Sequence, residues 1–415
     1  MINYDRYTLD NGLTVILHHD DSTPLVTVNV LYKVGSKNEQ EDKTGFAHLF
    51  EHLMFGGSAN VPDYDTPIQQ AGGDNNAFTN SDLTNFYDIM PAENLETALW
   101  LESDRMLQLD INQHSLDVQK KVVVEEFKET SLNQPYGDLW HELSALAFEK
   151  HPYQWPTIGK VPAHISDAEL SDVRHFFDSY YKPNNAVLII AGNYQPDTKA
   201  QIEKWFGKIP AGPLPPNTIP QEPKQQHFRN KTVTGRVPAD ALYLAFHMPS
   251  RTHEDFIIYD LMSDILSGGR SARLYRDLLK GTDLFSKVTA YVTGTFDPGL
   301  FIAEGHLVVD ADIELARQLI WSELQKLKEE PVSESELQKV KNSLISTVAF
   351  SEVSITNKAI NLAYYEMMGD LSRINQQVEE IEAVTVADIR RVARETFHED
   401  NCSELRYLRA EVTQA

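Results

Sequence analysis

GFAHLFEHLMFGG (Gly45–Gly57) sets two histidines and a glutamate within five positions of an otherwise apolar run. Its spacing is helical, with Leu49, Phe50, Leu53 and Met54 able to line one buried face. Positions four apart lie about 40° apart around a helix, so His48 and His52 project to one side and can share a cation. Glu51 falls in the same sector, roughly 100° wide, beside the position two imidazoles would leave open. The pattern H-x-x-E-H inverts the H-E-x-x-H zinc motif and carries both a pair of ligands and a base.

The same stretch has a degenerate echo. DLMSDILSGG (Asp260–Gly269) aligns with HLFEHLMFGG, 212 positions later, keeping both glycines and four apolar positions. LSDVRHFFDSYYKPNN (Leu170–Asn185) aligns in turn with VADIRRVARETFHEDN (Val386–Asn401) at an offset of 216. Two independent matches at nearly one offset imply two copies of one fold. The second copy has Asp260, Ser263 and Asp264 where the first has its histidines and glutamate. Between the copies, six prolines in PAGPLPPNTIPQEP (Pro210–Pro223) allow neither a helix nor a central strand. The expected division is therefore 1–209 for a metal-bearing domain, 210–228 for an extended linker and 229–415 for a homologous domain without ligands.

Strand and helix signals are segregated rather than alternating. Asn11-Gly12 is a hairpin turn signal, and Val26, Val28, Val30 and Tyr32 alternate as a strand facing a core should. Glu93–Leu107 and Asp117–Asn133 have helical spacing and few breakers. This ordering predicts an α+β class: two sandwich-like domains, each an antiparallel-rich sheet with helices packed on it.

Composition narrows the partners. The 415 residues are 41% hydrophobic and 24% charged, as in ordinary globular proteins. With 37 basic against 61 acidic residues the net charge is −24, which repels nucleic acid and anionic membrane surfaces. A single cysteine, Cys402, excludes an internal disulfide framework or a thiolate metal cluster. The opening residues show no secretory leader, so the expected location is cytoplasmic, or periplasmic if a leader was trimmed.

Two histidines are a poor zinc site without a third protein ligand. Glu125, Glu126 and Glu129 on the later helix are candidates. Glu126 shares a neutral stripe with Gln119 and Thr130, beside Val122 and Val123, where a carboxylate is costly unless paired or metal-bound. That makes Glu126 the better placed and Glu125 the runner-up.

HLFEH followed by VVVEEF (Val122–Phe127) resembles the zinc peptidase family of pitrilysin, insulin-degrading enzyme and mitochondrial processing peptidase. So do LDNGLTVIL (Leu9–Leu17), NAFTNSDLTNFY (Asn76–Tyr87), HPYQWPTIGK (His151–Lys160) and ILSGGRSARLY (Ile265–Tyr275). The resemblance implies half of a clamshell, one Zn2+ per chain held by His48, His52 and Glu126, and hydrolysis of peptides with Glu51 as the base that deprotonates the attacking water. It also implies that Asn76, Ala77 and Phe78 receive substrate as an added strand, through backbone hydrogen bonds and an apolar contact. Gln119 stands where relatives often carry a supporting glutamate.

One departure matters. Active relatives use an arginine and, seven positions on, a tyrosine to hold substrate; those positions are Leu279 and Ser286 here. The resemblance therefore implies a heterodimer whose partner supplies the pair, or alternatively a homodimer. A noncatalytic assembly subunit of the same fold is the competing reading. His151 and the His18-His19 pair are expected to be structural or exposed.

Overall fold

The computed structural model describes residues 1–216 and 218–410; Asn217, in the expected linker, and 411–415, at the end of the expected second domain, lie outside the described residues. Eleven strands occur among the described residues: β1 (Asp5–Thr8), β2 (Thr14–His19), β3 (Leu25–Tyr32), β4 (Asp74–Thr79), β5 (Thr84–Pro91), β6 (Ala186–Gly192), β7 (Arg229–Gly235), β8 (Ala241–Met248), β9 (Phe285–Val292), β10 (Gly299–Leu307) and β11 (Cys402–Arg409). They form two sheets, ordered β1-β2-β6-β3-β5-β4 and β7-β11-β8-β10-β9.

The sheets carry the repeat seen in the sequence. In the first, β6 pairs parallel to β2 and antiparallel to β3. In the second, β11 pairs parallel to β7 and antiparallel to β8. The aligned segments fold alike: Leu170–Tyr180 and Val386–Thr396 are both 11-residue helices, each followed by a short 3-10 turn and then β6 or β11. The class is α+β, with most strand pairs antiparallel and the helices packed on the sheets.

The compact units do not follow the division 1–209, 210–228 and 229–415. One unit holds Met1–Phe127, Trp155–Ile219 and Ala349–Gln376; the other holds Lys128–Gln154, Pro220–Val348 and Gln377–Ala415. Each sheet is thus packed by a helix from the opposite half of the sequence. Helix Ile355–Met368 lies on β3 and β6, and helix Leu139–Ala147 lies on β7, β8 and β11. The proline-rich stretch marks where the repeat starts again, and its described residues form neither helix nor strand from Pro210 to Gln226.

This exchange explains an unexpected feature of β3. The predicted alternation holds on one face, where Val26, Val28, Val30 and Tyr32 join the core. The opposite face is buried too, because helix Ile355–Met368 covers it. Its polar residues are paired: Asn29 and Asn85 exchange amide hydrogen bonds of 2.9 and 2.8 Å, and Thr27 meets Thr356 at 3.1 Å. Buried polar groups of this kind are tolerable only when satisfied.

Lys358 on the same helix donates to Asp20 at 2.6 Å. Lys358, with Ser22 adding, holds the Asp20 carboxyl well below the usual carboxylate range. A carboxyl whose pKa is depressed on folding contributes stability that is fully present above its unfolded value, about pH 4, and is lost progressively as pH falls from there toward the depressed folded-state value. Lys358→Met is therefore expected to cost on the order of 1 kcal/mol at pH 7. It should also flatten the loss of stability below pH 4, which thermal unfolding across pH 3 to 7 would measure; an unchanged acid limb contradicts the assignment.

Candidate metal centre

Gly45 and Glu39 begin the motif helix, Phe46–Leu53. Gly45 has φ +89, and a Cβ there would press on Ile158 O at 2.9 Å, so only glycine fits. The Glu39 carboxylate, itself buried, accepts from Gly45 N and Ala47 N at 2.9 Å each and from Trp155 Nε1 at 3.2 Å. Carboxyl oxygens accepting from the first N–H groups of a helix satisfy donors that have no partner within it. Burial opposes its ionisation and pushes Glu39 up to about 8. Leu49, Phe50, Leu53 and Met54 are all buried in the core of this unit, which leaves the helix no freedom to roll. Glu39→Ala is expected to cost about 2–3 kcal/mol, from orphaned N–H groups at the helix start. Denaturant unfolding would measure it, and Glu39→Gln should recover part of the loss.

On this mount, His48 Nε2 and His52 Nε2 lie 3.3 Å apart. Glu126 comes from helix Gln113–Phe127, which packs against the motif helix. Its Oε2 is 3.3 Å from His52 Nε2 and 3.7 Å from His48 Nε2. Among the described residues these three form the one cluster of His, Cys, Asp or Glu able to hold a metal ion. Glu125 is exposed and outside it. Tetrahedral zinc with bonds of about 2.0–2.2 Å sets neighbouring ligand atoms roughly 3.3–3.5 Å apart, which the two 3.3 Å separations match and the 3.7 Å one slightly exceeds. Burial, with His52 adjacent, pushes His48 down to about 4, so the imidazole is neutral and free to ligate at neutral pH.

Glu51 projects beside this cluster. Thr79, at the end of β4, lies beside its carboxylate, and the Thr79 hydroxyl donates to Thr84 Oγ1 at 3.4 Å. Burial raises its pKa, Thr79 and His52 oppose the rise, and Glu126 adds to it. A base poised closer to neutrality is better suited to taking a proton from water.

β4 is an edge strand of its sheet and, among the described residues, pairs only with β5. Asn76 is exposed, and Ala77 and Phe78 are half-buried. The Asn80 N–H to Leu83 O bond closes the β4–β5 turn, and antiparallel pairing alternates from there. It follows that Asn75, Ala77 and Thr79 aim their backbone N–H and C=O groups at the open edge. The Asn76 and Phe78 backbones face β5, so only their side chains are available to a ligand. Of the three expected substrate residues, Ala77 alone is placed to offer backbone bonds.

Other expectations resolve individually. Gln119 is half-buried on the ligand helix, and the buried His48 Nδ1 has no hydrogen-bond partner among the described residues. Val123 is buried, whereas Val118 and Val122 are exposed. His18 is buried with Nδ1 2.7 Å from Asn3 O, and buried His151 lies 3.4 Å from Asp297. Arg273 makes a two-pronged pair with Glu336 at 2.9 and 2.8 Å, and is thereby committed to local packing. Glu39 and Thr79 were not singled out by sequence reasoning. Thr79 follows Phe78 directly in the suspected strand, a signal that could have found it; Glu39 has none.

Known proteins share this arrangement. The family model described as insulinase (peptidase family M16) matches residues 14–160, and the one described as peptidase M16 inactive domain matches 167–344. The zinc protease PqqE of Helicobacter pylori is 30% identical over 405 residues, covering 95% of this chain and 90% of that protein. A solved protease from Helicobacter pylori superposes with a TM-score of 0.94 at 27% identity, covering 98% and 100% of the two chains. The periplasmic protease PqqL from Escherichia coli gives a TM-score of 0.80 at 18% identity, covering 98% of this chain and 48% of that one. A relative of that identity along nearly the whole length, with models of one family on both halves, places the chain in the M16 peptidase family.

Proposed function

We propose that the chain is a zinc-dependent metalloendopeptidase acting on short or unfolded peptides, with one Zn2+ held by His48, His52 and Glu126 and with Glu51 as general base. The observation that carries this reading is the spacing of 3.3 to 3.7 Å among the two Nε2 atoms and Glu126 Oε2, matched to the edges of a zinc tetrahedron. Bound zinc would supply Lewis acidity and bring the pKa of a coordinated water toward neutrality. Glu51 takes the water proton and passes it to the leaving amine, with no covalent enzyme intermediate. The open edge of β4 holds the peptide extended through its main chain, which tolerates many sequences.

The chain is proposed to work as the zinc-bearing subunit of a heterodimer. Leu279 and Ser286 occupy the expected arginine and tyrosine positions, and the nearby Arg273 and Arg276 are tied to Glu336 and Asp277. A homodimer is the alternative. The match of residues 167–344 to an inactive-domain model favours a second reading, a noncatalytic assembly subunit. Among the described residues no helix is long and apolar enough to cross a membrane. The cytoplasm is the proposed location, with the periplasm, named for PqqL, as the alternative.

The test is hydrolysis of a quenched-fluorescence peptide by the purified chain, alone and mixed with a homologous subunit bearing the arginine and tyrosine. Cleavage should rise at least about 10-fold on mixing, as expected for restored transition-state contacts. It should disappear with a chelator and return with Zn2+. Full activity of the chain alone removes the heterodimer, and no activity in any mixture favours the assembly reading.

A further inference from the structure

A cavity of about 480 Å³ lies in the unit that holds Pro220–Val348, away from the metal centre. Residues 271–277 and the helices Ile313–Glu329 and Glu334–Ser351 enclose it, and four basic and four acidic side chains line it. Two of these are almost wholly buried, Arg273 at 8% exposure and Glu323 at 2%. Both are only partly engaged. Glu336 takes Arg273 Nε and Nη2 at 2.9 and 2.8 Å, which fixes the guanidinium and leaves Nη1 over. Lys326 donates to Glu323 Oε1 at 2.5 Å, and the buried Oε2 has no hydrogen-bond partner among the described residues. A buried carboxylate oxygen without a donor is costly, and native proteins rarely leave one so.

We propose that this cavity binds a small zwitterion, a peptide of two or three residues with both ends free, whose ammonium group donates to Glu323 Oε2 and whose carboxylate accepts from Arg273 Nη1 and Lys339 Nζ. Lys339 donates to the hydroxyl of Ser271 at 3.0 Å, which leaves its ammonium further donors and its full charge. The equal numbers of lining charges disfavour a bare anion or cation, since either leaves one sign uncompensated. A ligand that is neutral overall but charged at its two ends satisfies both. Lys326 is the cover over Glu323: its side chain is 40% exposed, and such an ion pair yields at little cost, so the ammonium swings into solvent as the ligand takes its place. The volume falls within the range of small-ligand sites, roughly 300–1,000 Å³. Binding there needs neither zinc nor turnover, so it stands apart from the peptidase reading.

Titration calorimetry of the full chain with alanyl-alanine, in the presence of a chelator, is the test. A dissociation constant of about 1 mM or tighter is expected. Two end-blocked probes separate the halves of the site: N-acetyl-alanyl-alanine has no ammonium group and alanyl-alaninamide has no carboxylate, and each should bind the parent chain at least about 10-fold more weakly. Glu323→Gln keeps the shape of the side chain and removes its charge, and should weaken alanyl-alanine about 10-fold or more. Lys339→Met should weaken alanyl-alanine by about 3-fold or more and leave alanyl-alaninamide unaffected. The blocked probes are compared on the parent chain, so their result holds whether or not a variant folds. Absence of binding at about 10 mM alanyl-alanine overturns the proposal and leaves Glu323 Oε2 to water. Equal binding of the acetylated probe overturns it too, as does undiminished binding to folded Glu323→Gln. Binding seen only when zinc replaces the chelator would put the peptide at the metal centre and likewise overturn it, whereas binding as expected in a chain that never cleaves peptides removes only the peptidase reading.

Discussion

Glu51→Gln is expected to lower kcat/KM for peptide hydrolysis by about 10³-fold or more, near the upper part of the range for losing a general base. Zinc content should stay at one ion per chain, because Glu51 is not among the three clustered ligand atoms. Glutamine keeps the size and shape of the side chain, so the fold should be undisturbed. What it cannot do is take a proton. Peptide affinity is expected to stay close to that of the parent chain, which separates a chemical defect from a binding defect. Metal analysis, peptide binding and turnover measured on the same preparation check the three parts. A variant that retains turnover within a factor of two would exclude Glu51 as the base.

The second large effect concerns the metal. Glu126→Gln is expected to weaken zinc binding on the order of 10²–10³-fold, since apparent affinities of about 10–16 kcal/mol spread over four coordination positions give roughly 2.5–4 kcal/mol for each. Glu125→Gln should bind zinc as the parent does. Sequence periodicity left these neighbours as first choice and runner-up. They separate in the folded protein, where Glu126 Oε2 is 3.3 Å from His52 Nε2 and Glu125 is exposed. Competition with a chromogenic chelator reads both affinities on one scale. Equal weakening by the two substitutions would mean that the site rearranges when metal enters.

Why some features were legible and others were not follows from the range of the interactions that make them. The geometry of His48, Glu51 and His52 depends only on helical spacing within one short element, so the motif and its buried face could be read directly. The duplication was legible for a similar reason, because aligned segments of two copies fold alike wherever they end up. β3 shows the limit. Its alternation predicted one buried face, but Thr27 and Asn29 are fully buried as well, under a helix from more than 300 residues later. A local pattern carries no information about a cover that arrives from the other copy. The same exchange moved the compact units away from the division at the proline-rich stretch.

Glu39 and Thr79 make the point at the site. Glu39 reaches the start of the motif helix only because the preceding loop folds back beneath it. Thr79 meets Glu51 only because the β4–β5 hairpin lies beside that helix. Neither contact leaves a periodic trace in the chain. Asn76, Ala77 and Phe78 were read as a substrate strand, but which of their backbone groups face outward is set by the hydrogen-bonding phase of the β4–β5 pair. That phase depends on how the turn at Asn80–Leu83 closes.

By itself, then, the sequence determined the groups available to this protein: two imidazoles and a carboxylate on one rigid helix, a second copy without them, and no arginine and tyrosine at the expected spacing. Those are matters of residue identity and short-range periodicity, which survive in the unfolded chain. The tertiary structure decided which carboxylate joins the histidines, what anchors their helix and which donors the strand edge presents. These are distances between elements far apart along the chain, and only packing brings them within hydrogen-bonding reach.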